Sequence, residues 1–301
     1  MTLLGGLKIG LEPDELLSKH TSWRIGGRAV FMAWPKSIDE IIGVLDYSRQ
    51  QNLPFYVIGR GSNMLFSDEG FWGIVINMLQ FDKDFLSVED NIVEVSSGMP
   101  NHILVQKCAE QDLGGLEFLS SIPGSIGGAL VQNAGFSRVK NRKNEIGNFI
   151  EEVTVLTREG EIKTLIHSDI QLGYRDTSLR SHIVLKAKLR FERKNKKEVQ
   201  EEIYENYKYR SQIQDLQHPS AGSVFKNPPG FAMSSGQMIE KVGLRGHRMG
   251  DAQISSRHAN FFINLGNATC QDMLALIQLA KKKVKAEFGA DLEDEIRYVS
   301  G

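Results

Sequence analysis

Apolar and charged positions alternate most strictly near residue 187. Ile183, Leu185, Ala187, Leu189 and Phe191 take every second place, while Lys186, Lys188 and Arg190 fill the gaps. A period of two is that of a strand, and one face this polar predicts an antiparallel sheet with one side in water. Shorter strands are predicted at 29–34, stopped by Pro35, at 54–58 as a buried strand, and at 92–95, ending near Gly98. Another at 153–157 is followed by Arg158, Glu159 and Gly160, a hairpin turn. Helical spacing intervenes. Ser37-Ile38-Asp39-Glu40 reads as a capping box that opens a helix to about Gln51 on Ile41, Val44 and Leu45. Residues 101–111 fit a second helix, and 269–288 a third. There Thr269 is the N-cap, with Asp272 three residues on. Met273, Ile277, Ala280, Val284 and Phe288 form the buried stripe, and Gly289 is the stop. A last strand over 292–299 would put Glu293, Glu295 and Arg297 on one face and Ile296 on the other.

Mixed strands and helices make the chain α+β. The charge-rich, glycine-free run 194–200 leads into a helix and is the best boundary. The expected division is 1–79, 80–200 and 201–301, the first two α/β and the last α+β. Neither an internal repeat nor a low-complexity tract interrupts it.

Two glycine-rich turns stand out. Gly59-Arg60-Gly61-Ser62-Asn63 joins the strand at 54–58 to apolar Met64-Leu65-Phe66, a phosphate loop in outline. It is not the Rossmann fingerprint, because Met64 stands where a third glycine is required and no acidic residue closes a following strand. The second turn, 120–135, carries Ser120, Ser121, Gly124, Ser125, Gly127, Gly128 and Gly135 among Ile, Leu and Val, so it is no flexible linker. Glycines let backbone N–H groups approach an anion closely. The alternative is a glycine-rich turn packed between two strands.

Composition narrows the function. The 301 residues are 41% hydrophobic, ample for two or three cores, and the net charge of −1 disfavours nucleic acid as a partner. Lys281-Lys282-Lys283 lies opposite a helix's apolar stripe and reads as a solvated face. Cys108 and Cys270 have no metal-ligand spacing and are expected as buried free thiols. With no leader sequence and no membrane-length apolar run, a soluble cytoplasmic protein is expected.

Three polar constellations can carry chemistry. In Gly173-Tyr174-Arg175-Asp176-Thr177-Ser178, the arginine can hold a carboxylate in bidentate fashion or pair with Asp176 or a neighbour. In 219–230, Ser223, Lys226 and Asn227 supply a hydroxyl, a cation and an amide between small residues and prolines. No Gly-x-Ser-x-Gly and no suitably placed histidine makes Ser223 a nucleophile, so a hydroxyl that donates a proton or hydrogen bond fits better, unless the loop is only rigid. Glu295 in the terminal strand is a candidate carboxylate, or part of simple sheet closure.

With these residues assembled, the chain resembles the UDP-N-acetylenolpyruvoylglucosamine reductase family from end to end. The resemblance rests on Thr21-Ser22-Trp23-Arg24-Ile25-Gly26-Gly27, the 59–63 turn, and Ile122-Pro123-Gly124-Ser125-Ile126-Gly127-Gly128 with Asn133-Ala134-Gly135. It continues through Tyr174-Arg175-Asp176, Gly222-Ser223-Val224-Phe225-Lys226-Asn227-Pro228, Ser256-Arg257-His258-Ala259-Asn260 and Glu295-Ile296-Arg297. It implies a vanillyl-alcohol-oxidase-type (PCMH-type) FAD-binding domain of two α/β subdomains holding noncovalent FAD between them, then a substrate-binding domain. NADPH would be the reductant and a nucleotide sugar the substrate, with neither nucleic acid nor membrane as partner and the protein a monomer. Gly59, Arg60, Gly61, Ser62 and Asn63, with Ser121, Pro123, Gly124, Gly127 and Gly128, would wrap the FAD pyrophosphate. Asn133, Ala134 and Gly135 would lie near the flavin. Arg175 and Glu295 would flank the enolpyruvyl group, Ser223 would donate the proton, and Tyr174, Arg210, Lys226 and Asn227 would bind substrate. Only a short charged connector separates Phe191 from Tyr209, so the likeness is to the family's shorter type, which lacks a substrate-covering tyrosine loop.

Overall fold

The structure is a computed structural model and describes residues 2–4, 7–138 and 144–300. Its contacts divide the chain into two compact units. One comprises Met1–Pro13, Phe31–Arg60 and Gly73–Arg210. The other comprises Asp14–Val30, Gly61–Trp72 and Ser211–Gly301. The division runs through the turn 59–63 and places two N-terminal pieces with the C-terminal residues. Sequence patterning, which reads only contiguous stretches, has no access to that arrangement.

In the first unit the alternating strand forms as Ile183–Arg190 and lies at the centre of a five-stranded sheet. The spatial order is Ile162–Ile166, Ile150–Leu156, Ile183–Arg190, Ile92–Ser96, Leu86–Glu89, every neighbour antiparallel. Its polar face is laced by cross-strand ion pairs: Lys186 with Glu94, Lys188 with Glu152 and Arg190 with Glu151. Exposed pairs of this kind are screened by water and add little to stability, so they serve register more than stability. The opposite face buries Val93, Val95, Val153, Val155, Ala187 and Leu189 in a core shared with Leu104, Phe118 and Leu130. A second core lies under the helix Ile38–Gln51, where Ile41, Val44 and Leu45 meet Ile74 and Ile76.

Local departures have local causes. Ser37 accepts the Glu40 N–H, but the Glu40 carboxylate takes the N–H of Lys36, leaving half a capping box. The strand Phe55–Ile58 buries only Ile58 fully because it is the edge of its sheet, paired in parallel with Ile74 to Asn77 alone. The second helix stops at Ala109, two residues early, just before Asp112 adopts a left-handed φ of 54°.

The second unit is built on the long helix Cys270–Phe288, and its ends match the sequence closely. Thr269 and Asp272 form a reciprocal capping box, and Gly289 closes the helix at φ 69°. Met273, Ile277, Ala280 and Val284 pack against Trp23, Phe225, Met238 and Phe262. Lys282 and Lys283 are solvated as expected, but Lys281 turns to Asp294 at 2.6 Å. The four-stranded sheet runs Ser220–Ser223, Phe261–Asn264, Ala252–Ile254, Arg248–Met249, all antiparallel. The terminal strand is shorter than its pattern suggests. Only Arg297–Val299 is strand, paired in parallel with Met64–Phe66. Residues 293–296 bond instead to Val224 and Lys226, with an isolated bridge between Asp294 and Phe225, so the single 292–299 strand is corrected to a bent segment serving two partners.

Candidate active site

In the first unit the glycine segment leaves a 3₁₀ turn at Glu117–Ser121 and enters the helix Ile126–Val131. Asn101 holds it from below: its N–H donates to Gly124 O at 3.2 Å and its side-chain amide to Ile122 O at 3.0 Å. The N–H groups of Ile126 and Gly127 donate to Met99 O and Ser97 O, both at 2.9 Å. Those two amides are therefore not turned outward, and the anion cradle is narrower than the glycine spacing suggests. Gly127 serves close packing instead, since a Cβ there would lie 2.8 Å from that of Ser97. A Cβ on Gly59 would collide with Ser125 Oγ, so this residue of the other turn also approaches the segment without a side chain. The open side is marked by exposed Pro123 and Gly128, where a Cβ would meet nothing nearer than Ser125 Oγ at 3.7 Å. Bare, exposed backbone beside a fixed turn is a setting in which an anion such as a phosphate can be held.

The same segment positions Arg175. Asn133, at φ 43° and 2% exposed, donates to Gly173 O at 2.9 Å and accepts the Gly147 N–H at 3.0 Å. Thr177 Oγ1 donates to Leu130 O and Val131 O at the end of the short helix. Between these anchors Arg175 adopts φ 57°, a left-handed conformation that a non-glycine residue rarely holds unless its surroundings impose it. Its guanidinium donates to Gly135 O at 2.6 Å, approaches Glu145 at 3.6 Å and lies 5.1 Å from the Tyr174 ring centroid. The ion-pair neighbour is thus Glu145, whereas Asp176 pairs with Arg180. Ala134 is buried, its carbonyl accepting the Ile146 N–H at 2.9 Å. Arg210 also belongs here. It donates to Ser121 O and lies 5.6 Å from the Phe136 ring centroid; burial lowers its pKa to about 10, so it remains a cation at neutral pH.

The second unit assembles the other candidates. Gly61 has φ 62°, and a Cβ there would strike His20 O, so glycine is required. Asn63 reaches the C-terminal segment: its amide donates to Glu295 O at 2.9 Å, and its carbonyl accepts the Arg297 N–H at 2.9 Å. Glu295 N–H donates to Val224 O at 2.8 Å, and Lys226 N–H to Glu293 O at 2.9 Å. Ser223, half-buried, ends the strand Ser220–Ser223 opposite Phe261. Glu295 is therefore bonded to Val224, the residue that follows Ser223 in the chain. Lys226 pairs with Glu293 at 2.6 Å, and Asn227 accepts the Ser235 N–H at 3.1 Å, capping the helix Ser235–Lys241. Ser62 is half-buried, and Arg60, the last residue of its piece of the first unit, is exposed. No cluster of three metal-ligating side chains occurs among the described residues.

Two residues escaped the sequence reading. Glu145 faces Arg175 from a segment with no motif, and nothing in the chain marks it. Asn260 lies in the 256–260 motif, which was a signal without a role; its contacts with Val224 and Phe225 supply one.

Two family models match the chain. One described as "UDP-N-acetylenolpyruvoylglucosamine reductase, C-terminal domain" matches residues 214–299, and one described as "FAD binding domain" matches 29–166. The UDP-N-acetylenolpyruvoylglucosamine reductase 1 of Bacillus cereus is 39% identical over 290 residues, covering 95% of this chain and 93% of the relative. The reductase of Clostridium tetani is 36% identical, covering 96% and 92%. The crystal structure of the Thermus caldophilus reductase superposes with a TM-score of 0.79 at 31% identity, covering 97% of this chain and 99% of that one. On these matches the chain belongs to the UDP-N-acetylenolpyruvoylglucosamine reductase family and is an FAD-dependent oxidoreductase with a PCMH-type FAD-binding fold.

Proposed function

We propose that Arg175, Ser223 and Glu295 carry the reaction in this chain. The enzyme reduces UDP-N-acetylglucosamine enolpyruvate to UDP-N-acetylmuramate with NADPH and FAD, a step of peptidoglycan synthesis. FAD, when bound, would supply the redox chemistry, a two-electron hydride transfer from NADPH to the enolpyruvyl group.

The protein residues manage charge and protons. Adding hydride at C3 puts negative charge on C2 and the adjoining carboxylate. A guanidinium fixed before the reaction stabilises such charge without reorganising, and Arg175 is fixed in this way. Ser223 then protonates C2. A serine hydroxyl is a weak acid, but the enolate of a carboxylate is a strong enough base to take its proton. Glu295 hydrogen-bonds the same group or orients a water there.

The observation that carries this reading is the bond from the Glu295 N–H to the carbonyl of Val224, the residue next to Ser223, which brings the two backbones close. FAD is held noncovalently by Gly59, Arg60, Gly61, Ser62, Asn63, Ser121, Pro123, Gly124 and Gly128, with Gly127 packed behind them on Ser97 and Asn133, Ala134 and Gly135 nearer the flavin. Tyr174, Arg210, Lys226 and Asn227 bind the nucleotide sugar. The functional parts follow 1–79 and 80–200 for FAD and 201–301 for substrate. The protein works as a cytoplasmic monomer without nucleic-acid or membrane partners. No helix among the described residues is long and apolar enough to cross a membrane.

The test is spectroscopic. The purified protein should be yellow, bleach with NADPH and regain colour on anaerobic addition of the enolpyruvyl nucleotide sugar. Recovery with oxygen alone, and not with the nucleotide sugar, would instead mark an oxidase of the same fold.

A further inference from the structure

We infer that Asn260 is the positioning residue that sets Ser223, a role resting on the reading of Ser223 as proton donor. Asn260 is 4% exposed and spends both ends of its carboxamide on one neighbour. Its Oδ1 accepts the Phe225 N–H at 3.0 Å, and its Nδ2 donates to Phe225 O at 2.8 Å. Its backbone carbonyl accepts the Val224 N–H at 2.9 Å. A carboxamide offers the donor and acceptor of a peptide group, so Asn260 extends the ladder where the strand Phe261–Asn264 has not yet begun.

This reaches Ser223 directly. Ser223 pairs with Phe261, and the two residues after it are held by Asn260. Asn260 is itself fixed: its N–H donates to His258 Nδ1 at 3.2 Å, and a Cβ on Gly236 would lie 3.5 Å from its own. Val224, held on one side by Asn260, accepts Glu295 N–H with its carbonyl on the other. A hydroxyl that must deliver a proton to one carbon depends on its backbone to within a fraction of an ångström, since misplacement by about 1 Å can cost about a hundredfold in rate.

Asn260→Asp keeps the shape and the acceptor but removes the donor to Phe225 O. Stopped-flow measurement of the two half-reactions should show flavin reduction by NADPH within about threefold of the parent, and reoxidation by the enolpyruvyl nucleotide sugar slowed about 10- to 100-fold. In a Ser223→Ala background the same change should slow reoxidation by less than about twofold further, because a residue acting through another loses its effect when that other is gone. Amide exchange over residues 222–228 should quicken in Asn260→Asp while the rest of the chain is unchanged. That reading stands even if Asn260→Ala fails to fold. Equal slowing of both half-reactions, full multiplication of the two effects, or unchanged exchange over 222–228 would overturn the role of Asn260. If Ser223→Ala left reoxidation at the parent rate, the reading of Ser223 would fall first and this role with it.

Discussion

The side-chain amide of Asn63 donates to the carbonyl oxygen of Glu295 at 2.9 Å, joining the end of a glycine turn to the candidate carboxylate near the C-terminus. Asn63 also accepts the Arg297 N–H, so the turn aligns the terminal strand as it meets Met64–Phe66. Losing a partly buried hydrogen bond of this type costs about 1–3 kcal/mol where a carbonyl is left unpaired. Asn63→Ala should therefore lower unfolding stability by that amount, and Asn63→Asp, which lacks the donor, should do the same. Urea titration of the apoprotein measures it; parental stability in both variants would contradict the linkage.

Gly127 and Gly128 are adjacent but should respond oppositely to alanine. A Cβ at Gly127 meets Ser97 at 2.8 Å and must displace it, a strain of about 1–3 kcal/mol. At exposed Gly128 nothing lies nearer than 3.7 Å, and alanine in a helix is favoured over glycine by about 0.5–1 kcal/mol. Gly128→Ala should then leave the apoprotein as stable or more so while weakening FAD binding at least tenfold, about 1.4 kcal/mol. Titration of apoprotein with FAD decides it, and unchanged affinity would remove Gly128 from the cradle.

His258 makes the fold acid-sensitive. Burial, opposed by a backbone hydrogen bond and by Glu240 and reinforced by Arg245, holds its pKa below the ordinary 6.5, and its Nδ1 accepts the Asn260 N–H. The unfolded chain takes up a proton near pH 6.5 while the folded chain resists it. Between the two pKa values the unfolded state binds more protons, so stability falls as pH drops below about 6.5 and is fully present above it. The denaturation midpoint should decline from pH 7 to 5.5, and His258→Gln should flatten that decline. An equal slope in the variant would assign the sensitivity elsewhere.

Burial pushes Cys108 and Cys270 up to about 12, for Cys270 with help from the Asp68 charge. At pH 8 only about one thiol in ten thousand is then thiolate, the form that reacts. Iodoacetamide should leave both unmodified in the native protein and label both after unfolding; rapid native labelling of either would contradict their burial.

The central antiparallel sheet was legible in the sequence because its two faces differ: Lys186, Lys188 and Arg190 could only be the wet side. The helix Cys270–Phe288 was legible because its cap and stop are local chemistry. The terminal segment was not. Its pattern is that of one strand, but its hydrogen-bond partners, Val224 and Asn63, are set by distant parts of the chain. The glycine segment showed that backbone was exposed or crowded, yet not where each amide points; Ile126 and Gly127 turn theirs inward. Asparagines were the least legible. The resemblance places Asn133 near the flavin and leaves Asn260 in a motif without a role, while in the fold each substitutes for missing backbone partners beside a candidate catalytic residue.

The most direct test of the mechanism is Ser223→Ala followed through both half-reactions. NADPH should bleach the flavin at close to the parental rate, while reoxidation by the enolpyruvyl nucleotide sugar should slow by about 10²-fold or more. Equal slowing of both steps, or reoxidation at the parental rate, would show that Ser223 is not the proton donor.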